Sequence, residues 1–238
     1  MKNVLIFGAS GHGSVVLDCL ERSEDYQVVG FIDSYIEKGT KKFGYQILGT
    51  EKELPDIFEK FTIYGGVIAI GDNWIRRQMA ERILRIVPNF KFVSVIHPSA
   101  TIGKGVKIGQ GCVIMPGAII NANARIANHC ILNTRASLGH DGVMENYSSL
   151  APGVCTGGYM HLGCGSAISL GSKVIENIRI GSESIIGAGS LVLKNIPDLV
   201  LAFGNPAEII RSRMEGEPYL GKNKFSQPTL FSLDNTGS

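Results

Sequence analysis

The sequence predicts a small α/β domain followed by a parallel β-helix built from hexapeptides. Three observations carry this reading. Apolar strands alternate with amphipathic helices over roughly the first ninety residues. An aliphatic side chain then recurs every six residues. Glycine is abundant, at 30 residues, while charged residues make up only 18%, which favours turn-rich β structure.

The N-terminal elements follow in order. "NVLIFG" is an apolar strand. "ASGHGSVVLDCLERS" opens on glycines and continues as an amphipathic helix. "YQVVGFIDS" is a second strand and "GGVIAIGDN" a third. "WIRRQMAERILRIV" is another helix, and "FKFVSVIHP" leads into the repeat. Pro88 and Asn89 mark a seam, and Pro98 lies near the first coil. The expected units are a small α/β domain over 1–94, a β-helix over 95–196, and a turn, short helix and tail over 197–238.

From Ile96 the six-residue step meets Ile102, Ile108, Ile114, Ile120, Ile126, Leu132, Leu138, Met144, Leu150, Thr156, Leu162, Ile168, Val174, Ile180, Ile186 and Val192. Only Thr156 is not aliphatic. Two residues before these positions the side chain is usually small, as at Ala100, Cys112, Ala136 and Ser166. One large and one small inward residue per hexad fill a narrow prism. Glycines let the chain bend at its corners. A helix of period 3.6 cannot hold a strict six, and a plain strand of period 2 does not need the glycines. The register never slips, so no loop interrupts the coils.

A formal net charge of +2 gives no field that would make nucleic acid a default partner. The opening residues lack the features of a signal peptide, and no apolar run approaches the ~18 residues needed to span a bilayer. Five cysteines without a CxxC pair fit free thiols in a reducing cytoplasm.

"GASGHG", Gly8 to Gly13, lies where the first strand meets a helix. Backbone N–H groups at such a helix N-terminus favour a phosphate. Asp33 ends the second strand, where an acid accepts hydrogen bonds from a nucleotide. The spacing is not the dinucleotide fingerprint, and ninety residues are too few for a complete nicotinamide-binding domain.

His140 falls two positions after the inward Leu138, near a corner, and Asp141 follows it. One coil of eighteen residues stacks Gly157 and Gly158 beside it, and Thr156 precedes them. An imidazole, an acid and nearby N–H donors are the parts acyl transfer requires. Cys155 lacks a histidine in matching phase, so it is a poor nucleophile. His129, His140 and His161 are too far apart in phase to share a zinc ion, and no metal is expected.

With these residues in place, the chain resembles the bacterial hexapeptide-repeat sugar acetyltransferases of the bacillosamine, perosamine and sialic-acid pathways. The matching segments are "GASGHG", "FIDS" at 31–34, "AIGDN" at 69–73, "IHPSA" at 96–100, "LNTRASLGHD" at 132–141 and "GNPA" at 204–207. The resemblance extends to about Met214. It implies a Rossmann-like first domain, a left-handed β-helix, and a cytoplasmic homotrimer with sites between subunits. It implies acetyl-CoA as co-substrate and a nucleotide-linked amino sugar as acceptor, with transfer to its C4 amine and UDP favoured as the nucleotide. His140 would be the general base, with Asp141 and Asn133 beside the reacting groups. Gly8, Ser10, Gly11, His12, Gly13, Asp33, Ser34, Gly71, Asp72 and Asn73 would bind the nucleotide sugar. Ser149, Gly158, Leu170, Gly187, Ala188, Gly204, Pro206 and Ala207 would line the acetyl-CoA groove, with the Gly158 N–H facing the thioester carbonyl. One departure stands out: Ser149 in "SLAPG" occupies a position that relatives usually fill with histidine. Two alternatives are O-acetylation of a sialic-acid-like sugar and a non-catalytic trimer that binds a sugar nucleotide.

Overall fold

The computed structural model describes residues 1–220. In the N-terminal domain, β1 (Lys2–Phe7), β2 (Tyr26–Ile32), β3 (Lys41–Lys42), β4 (Tyr45–Gly49) and β5 (Gly65–Ile68) form one sheet in the order β3-β4-β2-β1-β5. All neighbours are parallel except the β3–β4 hairpin. Helices α1 (Gly11–Glu21), α2 (Leu54–Phe61) and α3 (Asn73–Ile86) accompany it. Neither the hairpin nor α2 was expected from sequence. The hairpin turns on Phe43 and Gly44, both at positive φ, and Phe-Gly is a weak turn signal beside Asn-Gly. The α2 segment spans only about two turns, too short for periodicity to register.

From β6 (Val95–Ile96) to β22 (Leu191–Val192) the chain coils in two-residue strands that stack into three parallel sheets. This is the left-handed parallel β-helix. Its first face runs through β6, β9 (Val113–Ile114), β12 (Ile131–Leu132), β15 (Ser149–Leu150), β18 (Ala167–Ile168) and β21 (Ile185–Ile186). Every rung pairs residues eighteen apart, such as Ile131 with Ser149. The aliphatic series points inward from Ile114 to Val192 and is buried, with Cys112, Ala118, Ala124, Cys130 and Ala136 filling the small slots. Ile96 and Ile102 are about 40% exposed, because the first coil has nothing stacked above it.

Two strands, β23 (Val200–Gly204) and β24 (Ala207–Ser212), extend the first face as an antiparallel hairpin. The short helix expected after residue 197 is therefore absent up to Leu220. "GNPA" is the hairpin turn, and its Asn205–Pro206 peptide is cis. Edge pairing to β21 favours strand there, and Val200, Ala202 and Ala207 close the end of the prism core.

The N-terminal domain docks on the first face. Val113, Met115 and Ile131 pack with Val16, Leu17 and Cys19 of α1. A fully buried arginine rivets the joint. Arg76 donates to the carbonyls of His129, Tyr147, Ile70 and Gly71 and to the Asn73 side chain, at 2.7–3.0 Å.

Candidate active site

His140 sits at the corner between the second and third faces of the prism. Asp141 has φ +56°. That left-handed step folds its carboxylate back onto the ring, so Oδ2 lies 2.9 Å from His140 Nδ1. Extended geometry alone would have pointed the two side chains apart. The acid fixes the ring so that Nε2 is the free nitrogen when the imidazole is neutral. The imidazole is more than half exposed and rests edge-on against Tyr159, 5.1 Å between centroids.

Gly158 stacks one coil away. A Cβ there would collide with His140 Nε2, so only glycine allows this approach. Among the described residues the Gly158 N–H has no hydrogen-bond partner. It is therefore an unspent donor beside the imidazole.

Thr156, the one break in the aliphatic series, is buried, and its hydroxyl does local work. In neighbouring coils the residue after the strand donates to a backbone carbonyl, as Gly157 does to Val174. At this corner the Gly139 N–H donates instead to Thr156 Oγ1 at 3.1 Å, while that hydroxyl donates to the Ser137 carbonyl at 3.3 Å. The polar interior residue thus holds the backbone directly before His140.

Other expected residues gather elsewhere. Asn133, Ser149, Leu170 and Ala188 line a cavity of about 390 Å³ on the first face and its corner with the second face. His12 and Gly71 close it from the N-terminal domain. Asn133 Oδ1 accepts from the Thr134 N–H at 2.8 Å, which leaves its amide N–H groups free. His12 Nε2 is buried without a partner. Burial, aided by the Arg76 charge, lowers the His12 pKa to about 4, so this ring is neutral at physiological pH. Gly187 lies under Phe203, with its N–H on the Ala202 carbonyl. Gly204 donates to Ser190 Oγ at 3.2 Å, and Ala207 is buried, so the "GNPA" turn with Pro206 adjoins the same corner.

A second cavity of about 260 Å³ adjoins the glycine-rich turn, lined by Gly8, Ser10, Asp33, Ser34 and Gly71 among others. Gly8 takes φ +105°, and a Cβ on Gly13 would strike the Gly8 carbonyl, so both glycines serve close helix–strand approach. Gly11 opens onto free space. Ser10 caps α1 without spending its hydroxyl. An anion fits at this helix start.

Three of the expected residues also hold the scaffold. Asp33 accepts from the Ala9, Tyr35 and Ile36 N–H groups, so it shapes the turn. Asp72 caps α3 through the Trp74 and Ile75 N–H groups. Asn73 donates to the Gly165 and Ser166 carbonyls across the domain joint. The sequence reading also missed Tyr219 and Leu220, which line the larger cavity. Nothing local in "EPYL" signals a return to the first domain.

Comparisons with known proteins match both domains. The family described as PglD N-terminal domain matches residues 3–83, and the bacterial transferase hexapeptide family (six repeats) matches residues 99–134. The fold is similar to perosamine N-acetyltransferase from Caulobacter crescentus, solved in complex with CoA and GDP-perosamine. Its TM-score is 0.82 and its identity 30%, covering 89% of this chain and 98% of that one. This chain belongs to the hexapeptide-repeat nucleotide-sugar acetyltransferases. Another acetyltransferase of similar fold is the acetyltransferase domain of PglB from Neisseria gonorrhoeae, in complex with acetyl coenzyme A. It gives TM-score 0.81 and 30% identity over 88% of this chain and 99% of that one. UDP-N-acetylbacillosamine N-acetyltransferase from Bacillus subtilis is 39% identical over 117 residues, or 48% of this chain. The chain spans about half the length of the curated relatives it matches. Among the described residues, no helix of this chain is long and apolar enough to cross a membrane.

Proposed function

We propose that the protein transfers acetyl from acetyl-CoA to the C4 amine of a nucleotide-linked amino sugar, with UDP the favoured nucleotide. The observation that carries this reading is the His140–Asp141 pair, 2.9 Å apart, with the unspent Gly158 N–H packed against the ring. A neutral amine attacks the thioester carbonyl. His140 Nε2 takes the proton that the attack makes acidic, and Asp141 steadies the resulting imidazolium. The Gly158 N–H stabilises the oxyanion, an effect typically worth ~3–4 kcal/mol per donor. Collapse expels CoA as its thiolate. No acyl-enzyme is required.

The nucleotide docks at the glycine-rich turn, with its phosphates toward the α1 N–H groups. Acetyl-CoA runs along the corner carrying Leu170, Gly187, Ala188 and the "GNPA" turn. We infer a homotrimer with each site shared by neighbours. Support comes from topology: His140 and Gly158 occupy one corner of the prism, while Asn133, Ser149 and Leu170 lie on and beside another. One chain does not present both sets to one ligand, whereas the corners of two chains side by side do. The cytoplasm is the compartment we assign, since all five cysteines are unpaired and acetyl-CoA is an intracellular metabolite.

The test is CoA release with UDP- and GDP-linked 4-amino sugars. Transfer by wild type, with His140→Ala slowed by a factor of ~10²–10⁴, supports the reading. Near-full turnover by His140→Ala removes the base from it. Transfer only to hydroxyl acceptors moves the reading to O-acetylation. Loss of both transfer and acetyl-CoA binding moves it to a non-catalytic sugar-nucleotide-binding trimer.

A further inference from the structure

The larger cavity is not closed by the β-helix and the first domain alone. The segment after β24 returns across the start of α3, where Tyr219 and Leu220 join the cavity wall. Its course is held at several points. Buried Arg213 donates to the Glu183 carbonyl and to the Glu217 carbonyl. Arg211 pairs with the Glu217 carboxylate, which holds that acid down to about 2. Gly216, at φ +76°, lies flat on the Trp74 ring, where no side chain fits. The Tyr219 N–H then donates to Asp72 Oδ2 at 3.3 Å. These contacts end with the Tyr219 hydroxyl 3.4 Å from Ser149 Oγ and with Leu220 against Gly71.

Polar atoms are scarce in this cavity. The polar side chains among its lining residues, apart from Tyr219, are those of His12, Asn133, Ser149 and Ser169. The remaining lining is mainly apolar. The strap forms a wall and does not fill the space, since about 390 Å³ remains open beside it. Burial pushes the Tyr219 phenol above its usual range, so it stays an O–H donor at physiological pH. Its partner Ser149 is at the outer limit of hydrogen-bond distance, which leaves the phenol available to a better acceptor.

We propose that Tyr219 is a specificity-determining residue for the acceptor sugar, donating its phenol hydrogen to an oxygen substituent on the sugar ring from the C-terminal strap. The proposal deepens the acetyltransferase reading and rests on it for the identity of the ligand. Tyr219 takes no part in proton transfer, which belongs to His140. It sets which sugar the cavity holds and how firmly.

The test compares wild type with Tyr219→Phe, which removes one oxygen and keeps the ring. Steady-state kinetics use acetyl-CoA and a UDP-linked 4-amino sugar, and calorimetry measures each ligand separately. Trp74 is the only tryptophan, and it touches the strap at Gly216, so its emission reports whether the strap remains seated. Loss of one hydrogen bond to the sugar should raise the sugar KM and Kd ~5–10-fold. The acetyl-CoA KM should stay within about twofold, even though Leu170 and Ala188 of the same cavity are assigned to acetyl-CoA, because the proposal gives the phenol hydrogen to the sugar and none to the thioester. The Trp74 emission should not change. An unchanged sugar KM and Kd overturns the proposal. So does an equal loss for both ligands with altered Trp74 emission, which marks a structural role. If wild type binds the sugar nucleotide without turnover, the transfer reading fails. A weaker Kd in Tyr219→Phe then still upholds the recognition role. If wild type does not bind it at all, both fail.

Discussion

Replacing Arg76 with methionine tests how the two domains are held in register. The guanidinium is fully buried and makes five hydrogen bonds, four to carbonyls and one to Asn73. Among the described residues it has no carboxylate within ion-pair distance. Each bond to a charged donor contributes about 1.5–3 kcal/mol, so five give roughly 8–15 kcal/mol. Desolvating the cation costs several kcal/mol and offsets much of this. Methionine fills the stem but leaves buried acceptors without donors. The expected net loss is about 3–5 kcal/mol, the range seen when one partner is removed from a buried charged network. Because Arg76 touches His129 and Tyr147 of the β-helix, the loss falls on the joint. Urea unfolding followed by circular dichroism and by Trp74 emission should show the midpoint falling, with the Trp74 transition moving first. A loss below ~1 kcal/mol with coincident transitions would refute the claim that this residue rivets the domains.

Three further outcomes follow from the site. Thr156→Val removes the acceptor for the Gly139 N–H and should cost ~1–3 kcal/mol in thermal stability while lowering kcat more than either KM; unchanged kcat would show that the corner repairs itself through the ordinary ladder bond. Gly158→Ala forces a methyl against His140 Nε2 and should lower kcat ~10²-fold, with the fold retained by circular dichroism. His12 and His129 both have pKa values lowered to about 4, by burial first and by Arg76 second. The unfolded chain therefore binds more protons than the native one between about pH 6.5 and 4, so stability is full above that window and falls as pH drops through it. Each imidazole contributes up to roughly 3 kcal/mol of this acid sensitivity. His129→Phe should flatten the slope of unfolding free energy against pH, and an unchanged slope would refute the assignment.

Much of the β-helix was legible because its period is unlike that of any other element. The single polar break at Thr156 also marked the corner where the structure brings Gly158 against His140. What sequence did not convey was the turn geometry at Asp141, since Asp is only enriched at positive φ and equivalent corners carry Arg135, Tyr147 or Glu183 as readily. It also assigned Asp72 and Asn73 to ligand contact. That their side chains also make a helix cap and a domain joint is a three-dimensional fact. The position of Ser149 looked like a loss, yet the structure puts Tyr219 there from seventy residues further along. No local pattern reports a contact at that separation.

The unbroken six-residue register makes the protein's length a quantised variable. Each hexad turns the chain by one face, and each eighteen residues return it to the same face one coil along. Insertion or loss of a whole coil would translate everything beyond it without rotation. Insertion of one hexad before Leu138 would carry His140 to the corner position that Asn146 normally holds, opposite a different face. Lineages descended from this scaffold are thus free to change its height in steps of eighteen residues, while any other step scrambles which side chains share a corner.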